Sequence, residues 1–155
     1  MDVKKILWPT DFSRNAEAAL PQVKSLTEKY GAEIHVLYVI EDTAHHEPWY
    51  GVFDEERVGK LMDHARKTAE DRLEKICSKY LEGCPLYIRH IAVGDPAAEI
   101  LAFVEKEKVD LVVMATRGQK PRFPFGSVTE KVVKHSPVPV TTVPVPRKEA
   151  DEEAA

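Results

Sequence analysis

The segment "VDLVVMATRGQKPRFPFGSVTEKVV", Val109 to Val133, decides the fold. Its first part, Val109–Thr116, is nearly all apolar. A run that short and continuous reads as a strand covered on both faces, as in the middle of a parallel sheet. Ser127-Val128-Thr129-Glu130 matches the S-x-x-E capping box of a helix start. Between strand and helix lie Gly118 and the pair Gly126-Ser127. Strand, glycine loop and helix in that order make a turn suited to phosphate, because free amides and the positive helix end face one place. Pro121 and Pro124 interrupt the loop, and proline has no N–H to offer an anion.

Working outward, the same alternation repeats. "VKKILWPT" (Val3–Thr10) is a short apolar run that stops at Pro9. Asp11 and Ser13 offer caps to a helix whose Ala16, Ala19, Leu20, Val23, Leu26 and Tyr30 recur at helical spacing, and Gly31 closes it. Pro21 predicts a kink or irregularity there, since an interior proline costs about 3 kcal/mol. "AEIHVLYVIE" (Ala32–Glu41) is a second strand. A long helix is expected from Asp54 to Leu81, with Val58, Leu61, Met62, Ala65, Ala69, Leu73, Ile76 and Tyr80 as its apolar stripe. "CPLYIRHIAVG" (Cys84–Gly94) is a third strand. Asp95-Pro96 then caps a helix that buries Ile100, Leu101 and Val104. Past the opening segment, "PVPVTTVPVP" (Pro137–Pro146) is a strand whose prolines assign it to a sheet edge.

Strands alternating strictly with helices predict an α/β fold: a single open, parallel, five-stranded sheet with helices on both faces, Rossmann-like. One domain over 1–146 is expected, followed by a charged, flexible tail at 147–155. In such sheets ligands bind beyond the carboxyl ends of the strands, where the strand order reverses. That rule selects Pro9, Thr10 and Asp11, then Val39 to Glu41, then Met114, Ala115 and onward to Gly118.

Composition removes several classes of function. With 43% hydrophobic and 31% charged residues the chain is a folded domain rather than a disordered one. A net charge of −4 argues against nucleic acid as a partner, which needs basic stripes. No apolar run reaches the roughly 18 residues of a membrane span. "MDVKKILWPTDFS" is not a signal peptide, so a cytoplasmic location is expected. Cys77 and Cys84 read as reduced, buried thiols, and no C-x-x-C occurs.

Familiar catalytic patterns are missing. There is no G-x-x-x-x-G-K-[ST], no G-x-G-x-x-G and no G-x-S-x-G. A phosphorelay receiver shares this element order, but Asp95 after the third strand reads as a helix cap rather than a phosphoacceptor. His45-His46-Glu47 lacks a third cluster to complete a metal site and reads as a solvated loop. His35 and His90 fall in strands, and His135 in the last turn of a helix, where a cation suits the dipole. Trp49, Tyr50 and Phe53 share a loop that either folds onto the core or covers a ligand or partner. For the glycine loop two readings stand side by side. Either Arg117, Lys120 and Arg122 attend an anion at Ser127, or Ser127 is only a cap and the charges are solvated.

"KKILWPTDFSRNAEAAL", "HVLYVIE", "GDPAAEIL", "DLVVMATRG" and "GSVTEKVVKHSPVPVTTV" together resemble the universal stress protein family over nearly the whole chain. The resemblance implies strand order 3-2-1-4-5 and a homodimer, here through the edge strand Val138–Val145. One branch of the family binds ATP through G-x-x-G, nine residues, then G-[ST]; another lacks the pattern. Here Ala115 replaces the first glycine, Gly118 matches the second, and only the seven residues Gln119–Phe125 precede Gly126-Ser127. By resemblance, Asp11 meets ribose or a metal, Val39 meets adenine through its backbone, and Gly118, Gly126, Ser127, Val128 and Thr129 surround phosphate. The implied protein is a dimeric stress-response module that binds ATP, ADP or AMP, with Mg or Mn entering only alongside nucleotide. No residue reads as catalytic, and a weak ATPase is the upper bound. The alternative is a stress-associated interaction module without nucleotide.

Overall fold

The computed structural model describes residues 1–41, 55–81, 87–117 and 125–145. Along them run β1 (Lys5–Pro9), α1 (Arg14–Glu17), α2 (Leu20–Tyr30), β2 (Glu33–Ile40), α3 (Glu55–Tyr80), β3 (Tyr87–Val93), α4 (Pro96–Glu107), β4 (Leu111–Ala115), α5 (Ser127–His135) and β5 (Val140–Val143). The strands form one sheet of order β3-β2-β1-β4-β5, parallel throughout. Fold class and strand order are those expected. Cys84, His45-His46-Glu47, Trp49–Phe53, Gly118–Pro124 and the 147–155 segment lie outside the described residues.

The period-two alternation of the central strands sorts their side chains into two cores. Ile6, Trp8, Ile34, Val36, Leu111 and Val113 share one core with Leu20 and Val23 of α2 and Leu73, Ile76 and Cys77 of α3. Leu7, Leu37, Val39, Val112 and Met114 share the other with Ala97, Ile100 and Val104 of α4 and Val132 of α5. Every residue of β4 is buried, as its unbroken apolar run requires. Asp110, just before β4, accepts the backbone N–H groups of Lys4 and Lys5 at 2.9 and 3.0 Å, which ties the start of β1 to its neighbour.

Pro21 does more than kink the first helix. The segment splits into α1 and α2, and Pro21 falls in the first turn of α2, where no intrahelical partner for its missing N–H is needed. Ser13 caps α1 by accepting from Ala16 N at 3.1 Å, and Gly31 ends α2 in the left-handed region, at φ 63°. Asp95 caps α4 through Ala98 N at 3.0 Å, so its carboxylate serves the helix, as its place in the sequence implies. In β5 the prolines flank the strand, and Pro139 contributes only its carbonyl, to Val112 N at 3.0 Å.

The stripe of α3 is shorter than its periodicity suggests. Val58, Ala69, Leu73 and Ile76 are buried, whereas Leu61 is 59% exposed. The helix has 26 residues and is about 39 Å long at the standard rise. Val58, one turn nearer the start of the helix, is buried, so Leu61 lies beside the covered stripe rather than beyond its end. Cys77, absent from the expected stripe, is fully buried instead. Burial pushes its thiol up to about 11, with Arg89 opposing, so it is protonated and unreactive at neutral pH.

Gly94, between β3 and α4, has φ 149°, and its N–H donates to Ile40 O at 2.9 Å. A Cβ there would lie 2.7 Å from Glu99 Oε1, an atom that can move, so the backbone conformation sets the cost. Gly94→Ala is expected to lower stability by about 1–3 kcal/mol, read from the midpoint of chemical denaturation.

Candidate functional site

The sheet reverses direction between β1 and β4. β2 and β3 extend to one side of β1, and β5 to the other side of β4. The β1–β4 ladder contains the pairs Ile6–Leu111 and Leu7–Val112, and its register goes no further. Trp8 and Pro9 therefore run beside Val113–Ala115 without pairing, and Pro9 has no N–H to extend the ladder. The carboxyl ends of these two strands are the topological switch point, where open α/β sheets hold the crevice that takes ligands.

One wall is the turn after β1. Thr10 is buried and donates its N–H to Leu37 O at 2.9 Å. Its hydroxyl accepts from Phe12 N at 3.1 Å. Asp11 Oδ1 accepts from Ser13 N at 2.9 Å and from the Ser13 hydroxyl. Phe12 sits between them at φ 64°, an uncommon conformation for a bulky side chain. Ring contacts support it: the Phe12 ring lies 4.3 Å from that of Tyr38, tilted by 40°, with the Arg72 guanidinium 5.6 Å from the Phe12 ring centre. This left-handed residue turns the chain so that Asp11 stands at the crevice. Nothing in the local sequence signals it.

The opposite wall is the start of α5. Gly126 N donates to Thr116 O at 2.7 Å, and Glu130 N closes the first helical turn on Gly126 O at 2.9 Å. Gly126 is therefore the cap residue, with no side-chain capping bond, and Ser127 is already the first helical residue. This corrects the expected capping box. The reason is the Gly126–Thr116 bond, which starts the helix one residue earlier and satisfies that end through the backbone. Thr129 is buried, and its hydroxyl donates to Ala115 O at 3.0 Å, pinning α5 to the end of β4. The amides of Ser127, Val128 and Thr129 have no acceptor among the described residues. Ser127 itself is exposed.

Val39, Met114 and Val128 belong to one apolar cluster on this side of the sheet. Val39 stands two residues beyond Leu37, the last partner of β1, and so overhangs the crevice. Pro9, Thr10, Asp11, Val39, Met114, Ala115, Gly126, Ser127, Val128 and Thr129 thus line or border one end of the sheet, while Gly118 lies outside the described residues. Arg117 is 3% exposed, so the first cation of the loop is buried at the end of β4 rather than solvated. Among the described residues no group of His, Cys, Asp or Glu is arranged to hold a metal, and no helix is long and apolar enough to cross a membrane.

A sequence model of the universal stress protein family matches residues 2–144. The chain belongs to that family. Universal stress protein MJ0531 of Methanocaldococcus jannaschii is 32% identical over 94% of this chain and 85% of its own length. Universal stress protein MJ0577 of the same organism is 35% identical over 90% of this chain and 94% of its own. The solved structure of MJ0577 superposes with a TM-score of 0.82, covering 96% of this chain and all of that one. A universal stress protein from Lactobacillus plantarum, 26% identical, superposes at 0.78 over 92% of this chain and 99% of its own. As a universal stress protein the chain has the fold of these relatives over its described residues, and in sequence it departs from the expected glycine pattern at Ala115 and in the short span before Gly126.

The Thr129 hydroxyl is the only side-chain bond described between α5 and β4. Thr129→Val keeps its shape and leaves a buried carbonyl short of a donor, so a loss of about 1–3 kcal/mol is expected in urea denaturation.

Proposed function

We propose that this universal stress protein binds an adenine nucleotide, ATP, ADP or AMP, at the crevice between β1 and β4, and acts as a dimeric signalling module rather than an enzyme. The observation that carries this reading is the set of three amides, Ser127, Val128 and Thr129, that begin α5 beside the crevice without acceptors among the described residues. Such amides, with the helix dipole behind them, attract a phosphate. The residues present fit a nucleotide: amides for the phosphate, the Asp11 carboxylate on the opposite wall for ribose, and the backbone of Val39 for the base. A bound nucleotide supplies the negative charge that these groups complement. Among the described residues no protein cage for Mg or Mn accompanies Asp11, and in this reading a metal arrives with the phosphates. Ala115 and the short Gln119–Phe125 span favour a shorter phosphate arm than ATP has. Two proteins of the same fold, 17% and 20% identical, are universal stress proteins solved with cAMP and with dAMP.

In this reading the domain spans 1–146 with 147–155 as an appendage, and the location is cytoplasmic. Dimerisation uses the outer edge of β5. Pro139 O and Val143 O face β4, so by ladder alternation Val140 and Thr142 direct their amides outward. An open edge of this kind pairs readily with a second chain.

Millimolar AMP, ADP or ATP is expected to raise the thermal midpoint, by about 2.7 kcal/mol of stabilisation at a hundredfold excess over Kd. The absence of a shift with every nucleotide refutes the site. Ser127→Pro isolates the amides. Proline is tolerated at the first helical position, and Gly126, at φ −71° and ψ 152°, already has the extended conformation that a following proline demands. The variant should fold with unchanged stability and lose most of the nucleotide shift. For the dimer, Thr142→Pro removes an outward amide and leaves the β4 ladder intact. Light scattering should report a dimer for the natural chain and a larger monomer fraction for the variant.

A further inference from the structure

On the far side of the sheet from β5, two histidines meet. His35 of β2 is 3% exposed, and both its ring nitrogens are engaged. Nε2 lies 3.2 Å from Glu33 Oε2, and Nδ1 lies 3.0 Å from His90 Nε2 of β3. The two rings stack at 5.2 Å between centroids, only 12° from parallel. Phe103 of α4 closes over them, its ring edge-on to His90 at 4.6 Å. The chain Glu33–His35–His90 therefore joins β2 and β3 in one hydrogen-bonded line, with Phe103 of α4 packed on it.

Counting protons along this line sets its behaviour. A carboxylate at Glu33 requires a donor, so His35 carries its proton on Nε2 and leaves Nδ1 bare. His90 must then donate from Nε2, and its own Nδ1 is bare. One extra proton can settle on that Nδ1 with every bond kept. A second would place N–H groups face to face across the 3.0 Å contact and break it. We propose that Glu33–His35–His90 is an acid-sensitive latch on the β3 edge, closed at neutral pH by a single proton between the two rings and opened when both rings are protonated.

The surroundings of the pair favour the closed, less protonated form. His90 lines a cleft of about 390 Å³ with Arg89 of its own strand and Glu99, Lys106 and Glu107 of α4. Burial, then His35, holds the His90 imidazole below its ordinary value; Lys106 adds to this and Glu107 opposes it. From β1, Lys5 is the register partner of Glu33 and donates its Nζ to Glu107 O at 3.0 Å, so one more cation stands nearby. Because the folded value is depressed, the unfolded chain takes up this proton at a higher pH than the native one. Stability is therefore full above about pH 6.5 and declines as pH falls, first as His90 takes its proton with the bonds kept and then, with the second proton, as the His35–His90 bond breaks. β3 is the element released, since among the described strands β2 alone neighbours it.

His90→Gln keeps a donor for His35 Nδ1 and removes the titration. Between pH 7 and pH 5 the natural chain is expected to lose about 2–4 °C more of its thermal midpoint than the variant. Hydrogen exchange of β3 amides, corrected for intrinsic rate, should speed up relative to β1 over the same interval. Equal losses in the two proteins overturn the proposal. Should the variant fail to fold, ring-nitrogen NMR of the natural chain decides. Two linked titration steps, with His90 Nδ1 bare at pH 7, support the latch. Two independent and ordinary titrations refute it.

Discussion

The β1–β4 ladder stops at Leu7–Val112, and the organisation of the carboxyl end of the sheet follows from that. Pro9 cannot donate, so the ladder loses one of its bonds there. The strand order reverses at the same place, so the switch point is bordered by backbone from both halves of the domain. Had β1 carried a donor there, β1 and β4 could pair to their ends and close the crevice that Asp11 and α5 now flank.

Two anchors hold the walls of this space. On one side Thr129 and Gly126 bind α5 to the last residues of β4, at Ala115 and Thr116. Both bonds use atoms that do not belong to the Ser127 and Val128 amides, so the helix is fixed without consuming them. On the other side Phe12 accepts a left-handed conformation, which costs on the order of 1–3 kcal/mol, supported by Tyr38 and Arg72. Rigid scaffold and exposed backbone donors are thus separated residue by residue.

The two sheet edges differ in kind. β5 is short and flanked by proline, with outward amides and half-buried side chains. The β3 edge instead carries a polar line through Glu33, His35 and His90, capped by Phe103. One edge presents backbone amides; the other is tied by side-chain hydrogen bonds between β2 and β3. A polar line of this kind is kept only while every nitrogen has its partner.

The fold was legible in the sequence because it rests on short-range patterns: an apolar run at Val109–Thr116, caps at Ser13 and Asp95, a left-handed Gly31, and prolines around β5. The site was legible in outline, since topology alone assigns Thr10, Asp11 and the start of α5 to one end of the sheet. Tertiary structure decided the rest. Ser127 lost its capping role because Gly126 found a carbonyl at Thr116, a residue ten positions earlier. Leu61 was left exposed because it lies beside the stripe of α3 that Val58, Ala69, Leu73 and Ile76 bury. Arg117 was buried, Phe12 adopted its turn, and His35 met His90 across 55 positions. Periodicity reports which face of an element is apolar; which atoms meet across that face depends on register, strand length and the points where pairing stops.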